Sequence, residues 1–400
     1  MAANPSSRPL VGPPPARRSG RLREFWDRVT EGIQISDLWT QFQTEARSSY
    51  GLYSREVDWE EIQKKRKWRR PFHAAWALFY VLLMKLSPAR RVLLLAAAIL
   101  LVYPLPALLV LSVESGQASA AVEVKFFVLG TAFLFLLLAL ELADRVTMKR
   151  DLEIAREIQR WLVPEKAPDV PGLDVAFLSR AANTVAGDYY DVIWRGAARG
   201  GNSPGNPLLL VVADVAGKSV PAALLMATFQ ASLRTIEAGG AALGEIVRNL
   251  NYYVCENSQN GLRFITAFFM EYAPASGAIS YTCAGHHPAL IRRAGGQVEE
   301  LTAGGLPLGI ETDAEFPIAH AQLAPGELMF IYTDGVVEAV NAAGREFGRA
   351  RLADVVRPCD GSESAANVLA HVARVMDGFV GAARQHDDIT CMVVRRLPAT

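Results

Sequence analysis

LLLVVADVAGKSVPAALLMA (208–227) joins two patterns in one stretch. Its first part, LLLVVAD, is a short, wholly apolar run ending on Asp214, as expected of a strand buried on both faces. Its second part predicts a helix through ALLMATFQASLRTI (223–236), with Ser219 as N-cap and Pro221 near the first turn. Between them, ADVAGKS (213–219) places an acid and small residues at the strand end.

The same texture continues on both sides. Residues 264–272 and 278–283 flank a PASG turn and predict a β-hairpin. ELMFIYTDG (327–335) is a second apolar strand closing on Asp-Gly, and DITCMVVRR (388–396) reads as a last strand. The regions 348–357 and 364–381 read as helices. Hairpin strands with helices inserted predict an α/β (α+β) domain over 165–397, built on antiparallel sheets with helical layers.

Upstream the chemistry changes. Residues 1–23 are rich in Pro, Ser, Gly and Arg and are expected to be a disordered tail. Residues 24–91 form a basic, helical juxtamembrane region. Within it 24–45 has helix-spaced apolar residues, and 62–91 carries nine Lys and Arg and no acid. Val92–Val113 has no charge and, at about 1.5 Å per residue, suffices for a hydrocarbon core of about 30 Å. After a polar stretch (114–125), a second apolar run, FFVLGTAFLFLLLALELA, covers 126–143. A two-helix transmembrane hairpin over 92–143 is therefore expected. Basic residues lie outside both runs, and the positive-inside bias places both termini in the cytoplasm of a multi-pass inner-membrane protein. Residues 144–164 continue as a linker helix ending at Pro164, with Met148, Leu152, Ala155, Ile158 and Leu162 on one stripe. Such a helix is a candidate homodimer contact.

Composition sets limits. Four hundred residues suggest two units. Lys+Arg 41 balance Asp+Glu 41, which excludes a globally basic nucleic-acid binder. Cys255, Cys283, Cys359 and Cys391 form no CxxC pair, which argues against a zinc ribbon or disulfide framework and fits a reducing compartment.

Four acidic motifs carry the chemistry: AGDYYD (186–191), ADVAGKS (213–219), YTDGVVEA (332–339) and HDDIT (386–390). Asp214 and Asp334 end apolar strands, and Asp387 precedes one. Carboxylates gathered at one sheet edge repel, and hard divalent cations relieve that repulsion through oxygen ligation. Two such cations activate water against a phosphate ester without a protein nucleophile. Rival machinery is missing: there is no GxSxG elbow, and Val212 stands where a P-loop ending in Lys218–Ser219 needs its first glycine.

In order, LEIAREIQRWLVP (152–164), VAGDYYD, DVAGKSVPAALLMA, FITAFF, CAGHHPAL, GGLPLGI, YTDGVVEA, GREFG and DDIT resemble the signatures of bacterial protein phosphatase 2C-like enzymes, the stage II sporulation protein E and sigma-factor-regulation group. The resemblance covers 151–397. It implies an α-β-β-α sandwich with two Mn²⁺ or Mg²⁺ ions between the sheets. It implies Asp188, Asp214, Asp334 and Asp387 as catalytic metal ligands, together with the Val215 carbonyl. Asp191 and Asp388 are implied as outer acids, and His286 as structural. Lys218 reads as a solvated loop lysine rather than a phosphate ligand. Ala186, Ala216 and Ser219 depart from the family's usual Gly, Ser and Gly, and Ser219 would be restricted if its position needs a positive φ. The expected function is a membrane-anchored serine/threonine protein phosphatase acting on a phosphorylated cytoplasmic regulator, an anti-sigma-factor antagonist by resemblance. A silent phosphoprotein-binding scaffold of the same fold is the alternative, and loss of Asp214 or Asp334 would have favoured it. A nucleotide cyclase would need a nucleotide-binding pattern that the sequence lacks.

Overall fold

The computed structural model describes residues 83–102, 117–196, 206–257, 263–359 and 362–398, with isolated positions between 73 and 80. The expectations for the tail, for 24–45 and for most of the basic region lie outside these residues. The chain divides into two compact units, Met1–Ala143 and Asp144–Thr400.

In the first unit, α1 (Pro88–Val102) lies antiparallel to the apolar part of α2 (Gln117–Leu162). Arg90 pairs with Glu141 at 3.2 Å. Ala97 is fully buried. The helices close on Gly130, where a Cβ would come 2.9 Å from Leu101 and 3.2 Å from the Ala97 carbonyl. Among the described residues one helix, Val124–Leu162, is long and apolar enough to cross a membrane, and protein covers almost none of its apolar window. α1 has 15 residues, and positions 103–113 of the expected first crossing lie outside the described residues. The sequence reading stands corrected in one respect. The polar stretch at 114–125 is helical from Gln117, and α2 runs unbroken from there to Leu162. Pro164 follows its end, as its missing donor requires.

The second unit is a four-layer sandwich. One sheet has the order β1–β11–β10–β6–β7: β1 (Leu173–Arg180), β11 (Ile389–Arg396), β10 (Leu328–Tyr332), β6 (Ala289–Arg292) and β7 (Val298–Leu301). The other has β2–β3–β4–β5–β8, with β9 also on β5: β2 (Tyr189–Trp194), β3 (Leu208–Val215), β4 (Ile265–Ala273), β5 (Ala278–Ala284), β8 (Gly304–Gly305) and β9 (Ala319–Gln322). Pairing is antiparallel except β5 with β8. The period-2 alternation of β3 explains its sequence. Leu208, Leu210 and Val212 enter the core between the sheets with Phe268, Ile331 and Met392. Leu209, Val211 and Ala213 face α3 (Val220–Ala238) and α4 (Leu243–Asn257), against Phe229 and Ile246. Both faces are dry, so no polar residue interrupts the strand. The opposite sheet packs its outer face, with Phe330 and Val393, on α6 (Arg349–Val356) and α7 (Ala365–Val380). Each fully buried leucine here stabilises by about 1.5–3 kcal/mol. The α-β-β-α expectation is met.

Two local expectations differ. Ser219 precedes α3, but its side chain makes no capping bond, because its backbone adopts φ 66, ψ −149. On α2, Leu152, Ala155 and Leu162 are half-buried, whereas Met148 and Ile158 are exposed. The single apolar stripe is thus split between a narrow contact face and a free one.

Candidate active site

The fold brings the acidic motifs to one edge. Tyr189 pairs with Ala213, so Asp188 before β2 and Asp214 in β3 meet at the same end of their sheet. By alternation both share the inter-sheet face with Tyr190 and Val212. In the other sheet Tyr332 pairs with Cys391. Asp334, which opens the short helix α5 (Asp334–Val337), therefore lies beside Asp387 and Asp388. Thr333 joins the two sheets. Its amide donates to the Thr390 carbonyl at 3.0 Å, and its hydroxyl donates to Asp188 Oδ2 at 2.9 Å. Asp188 Oδ1 is buried without a hydrogen-bond partner.

Two glycines permit this approach. A Cβ on Gly335 would fall 1.9 Å from the Asp388 carbonyl oxygen. A Cβ on Gly187 would lie 3.2 Å from the Val215 carbonyl oxygen, so the loop before Asp188 rests against that carbonyl.

The electrostatics reflect crowding. Burial, then the charge of Asp214, holds Asp188 well above the usual carboxylate range. Asp214 is pushed up to about 7, first by burial and next by Asp334, with Asp387 and Asp388 adding. Asp334 is raised by burial and by Asp387. Among the described residues no three His, Cys, Asp or Glu side chains are already drawn together tightly enough to grip a metal ion. The acids line a shared edge and repel one another across it. A free buried oxygen on Asp188, raised carboxyl groups and an adjacent backbone carbonyl are a donor set that suits hard divalent cations.

The remaining predicted residues separate by role. Asp388 Oδ1 and Oδ2 accept from the Ala182 and Gly187 amides at 2.7 and 2.6 Å, fixing the loop that carries Asp188. Asp191 does not join the site. It lies on the opposite face of β2, pairs with Arg234 of α3 at 2.7 Å and accepts from the Tyr189 hydroxyl. Lys218 is not simply solvated: it reaches Asp387 at 2.8 Å and the His386 carbonyl at 2.7 Å. His286 is a core residue, bonded to Thr266 at 2.9 Å and kept neutral by burial, which lowers its pKa to about 3.

Sequence reasoning missed Thr333, His287 and Gln159. Thr333 was visible as the Thr of YTDG. His287 stacks on Tyr332 and feels the charge of Asp334. Gln159 of α2 donates to the Ala186 carbonyl at 2.7 Å and accepts from the Ala186 amide at 3.0 Å.

Comparison with known proteins agrees with this architecture. Residues 204–397 match the family described as Stage II sporulation protein E (SpoIIE). This stretch is therefore similar to the SpoIIE, protein phosphatase 2C type of domain. The SpoIIE match covers Asp214, Asp334 and Asp387 and begins after Asp188. Protein IcfG of Synechocystis is 27% identical over 67% of this chain and 46% of its own length. Phosphoserine phosphatase RsbU of Bacillus subtilis is 27% identical over 62% of this chain and 71% of its own. The chain thus spans about half of IcfG and under three quarters of RsbU. The SiaA-PP2C domain of Pseudomonas aeruginosa shares the fold, with a TM-score of 0.55 at 23% identity over 63% of this chain and 98% of that one.

Proposed function

We propose that this chain is a membrane-anchored, divalent-metal-dependent serine/threonine protein phosphatase acting on a phosphorylated cytoplasmic regulator, by its SpoIIE resemblance an anti-sigma-factor antagonist. One observation carries the reading. Carboxylates from both sheets meet at a single edge, with Asp188 Oδ1 buried and unpartnered and Asp214 raised by its neighbours.

Asp188, Asp214, Asp334, Asp387 and the Val215 carbonyl would hold two Mn²⁺ or Mg²⁺ ions. Such ions lower the pKa of bound water and offset charge on phosphoryl oxygens. The protein supplies the positioning. Thr333 orients Asp188 by occupying Oδ2, which leaves Oδ1 free. Asp388 and Gln159 hold the preceding loop. Lys218 steadies Asp387 through its ion pair. The raised carboxyl groups make ligation compete with protonation, so activity should fall on acidification. The apolar part of α2 supports anchoring, and the charge bias supports two crossings with cytoplasmic termini. Val146, Ile154, Ile158 and Trp161 are exposed on α2 and support a homodimer through 144–164.

The test is phosphate release from a phosphoserine peptide by the 400-residue chain in detergent, with Mn²⁺ and then with chelator. Release that needs Mn²⁺ and falls at least about 100-fold in Asp214→Asn is expected. Peptide binding without release would favour the scaffold.

A further inference from the structure

A cavity of about 600 Å³ opens beside the acidic edge, and Asp188 is part of its lining. Its wall includes Arg156 and Arg160 from α2, followed by Lys166, with Glu165 as the other acid. Arg156, Arg160 and Lys166 are exposed, and none makes an ion pair or hydrogen bond with another described residue. Arg156 and Arg160 stand four residues apart, on one face of the helix, where like charges repel. Arg160 and Tyr190 line the same cavity as Asp188. A second cavity, of about 400 Å³, lies on the Asp387 side. Two of its cations are already engaged, Arg180 with Asp377 and Lys218 with Asp387, which leaves Arg384. Uncompensated positive charge is therefore concentrated on the Asp188 side.

We propose that the cavity between the end of α2 and the loop before Asp188 seats the phosphorylated serine or threonine side chain of the substrate protein, with Arg156 and Arg160 taking its phosphoryl oxygens. The volume is in the range of ligand pockets, about 300–1,000 Å³. A phosphomonoester carries a charge of about −1.5 to −2 at neutral pH and offers three acceptor oxygens, and guanidinium groups meet such oxygens in bidentate pairs. One dianion between the two arginines relieves their repulsion and directs the ester toward Asp188. This assignment rests on the phosphatase reading above.

The experiment uses the 400-residue chain in detergent and compares wild type, Arg156→Ala, Arg160→Ala, the double Ala variant and the double Lys variant. KM and kcat are measured for a phosphoserine peptide with Mn²⁺, along with the inhibition constant of inorganic phosphate and the melting midpoint. Each single Ala variant should raise KM at least about fivefold, and the double variant at least about 30-fold, as loss of charge-assisted bonds predicts. The inhibition constant of phosphate should rise in parallel, kcat should stay within about threefold, and Lys should restore part of the loss. Unchanged KM and inhibition constant in a normally melting double Ala variant overturn the assignment while leaving the phosphatase reading intact. A rise in peptide KM with no change for phosphate also overturns it. If wild type releases no phosphate, the functional reading fails, and calorimetric titration with inorganic phosphate still decides the cavity. Weaker binding by the double Ala variant supports it, and equal binding refutes it.

Discussion

Replacing Ser219 by glycine should make the protein more stable. Ser219 has φ 66 and ψ −149 and is the one non-glycine with positive φ among the described residues. In that region a Cβ crowds the backbone, at a cost of about 1–3 kcal/mol. Nothing visible offsets it: the hydroxyl makes no capping bond, and the backbone bond from Ala223 to the Ser219 carbonyl survives the change. Against the gain stands the extra freedom glycine gives the unfolded chain, about 0.4–1 kcal/mol. The net is a stabilisation of about 0.5–2 kcal/mol. For a domain of this size each kcal/mol moves the midpoint by about 2–4 °C, so a rise of about 1–8 °C is expected. Ser219→Ala keeps the Cβ and discards only the hydroxyl, so its midpoint should stay near that of wild type. Thermal and urea transitions followed by near-UV circular dichroism supply the comparison. If the glycine variant melts at or below wild type, or alanine gains as much, strain at this residue is not what the dihedral angles indicate.

Other outcomes follow from single contacts. Gly335→Ala drives a methyl group onto the Asp388 carbonyl and should displace Asp387 and Asp388. Phosphate release should drop at least about 100-fold, and urea melts should show a loss of about 1–3 kcal/mol. Arg234→Ala leaves the fully buried Asp191 without its cation. Urea melts should show a loss of about 2–4 kcal/mol while kcat of the folded fraction stays within about twofold; a collapse of kcat would return Asp191 to the site. His286 titrates near 3 in the folded chain, against 6.5 ordinarily. Below pH 6.5 the unfolded chain takes a proton that the folded one refuses, so stability falls from pH 6.5 toward 3. His286→Gln should flatten that slope in urea midpoints measured across the window, and an unaltered slope would refute the assignment.

The strands that carry the site were legible because burial on both faces leaves an unmistakable run. LLLVVA and LMFIY carry no charged residue, and the acids that follow, Asp214 and Asp334, mark where the dry region stops. Asp191 was misplaced although the signal was available. Three residues from Asp188 along an extended chain is an odd step, so the two carboxylates point to opposite faces. The short strands β8 and β9 left no pattern, because two to four residues are too few for alternation to register. The cations of α2 were obscured by its apolar residues. A helix that touches its domain along one narrow line exposes Ile154 and Ile158 as well as Arg156 and Arg160, and periodicity alone cannot sort them. The unbroken length of α2 was hidden by the small polar residues at its start, which tolerate a helix without announcing one.

Gln159 imitates a strand. Its amide gives one hydrogen to Ala186 and receives one from it, the same exchange that two facing peptide groups make in an antiparallel ladder. Residue choice at this position is therefore narrow. Glutamate has the reach but cannot donate, and lysine cannot accept, so either would turn one of the two bonds into a clash of like partners. In a helix otherwise well supplied with glutamates, this position requires a neutral side chain able to give and to take.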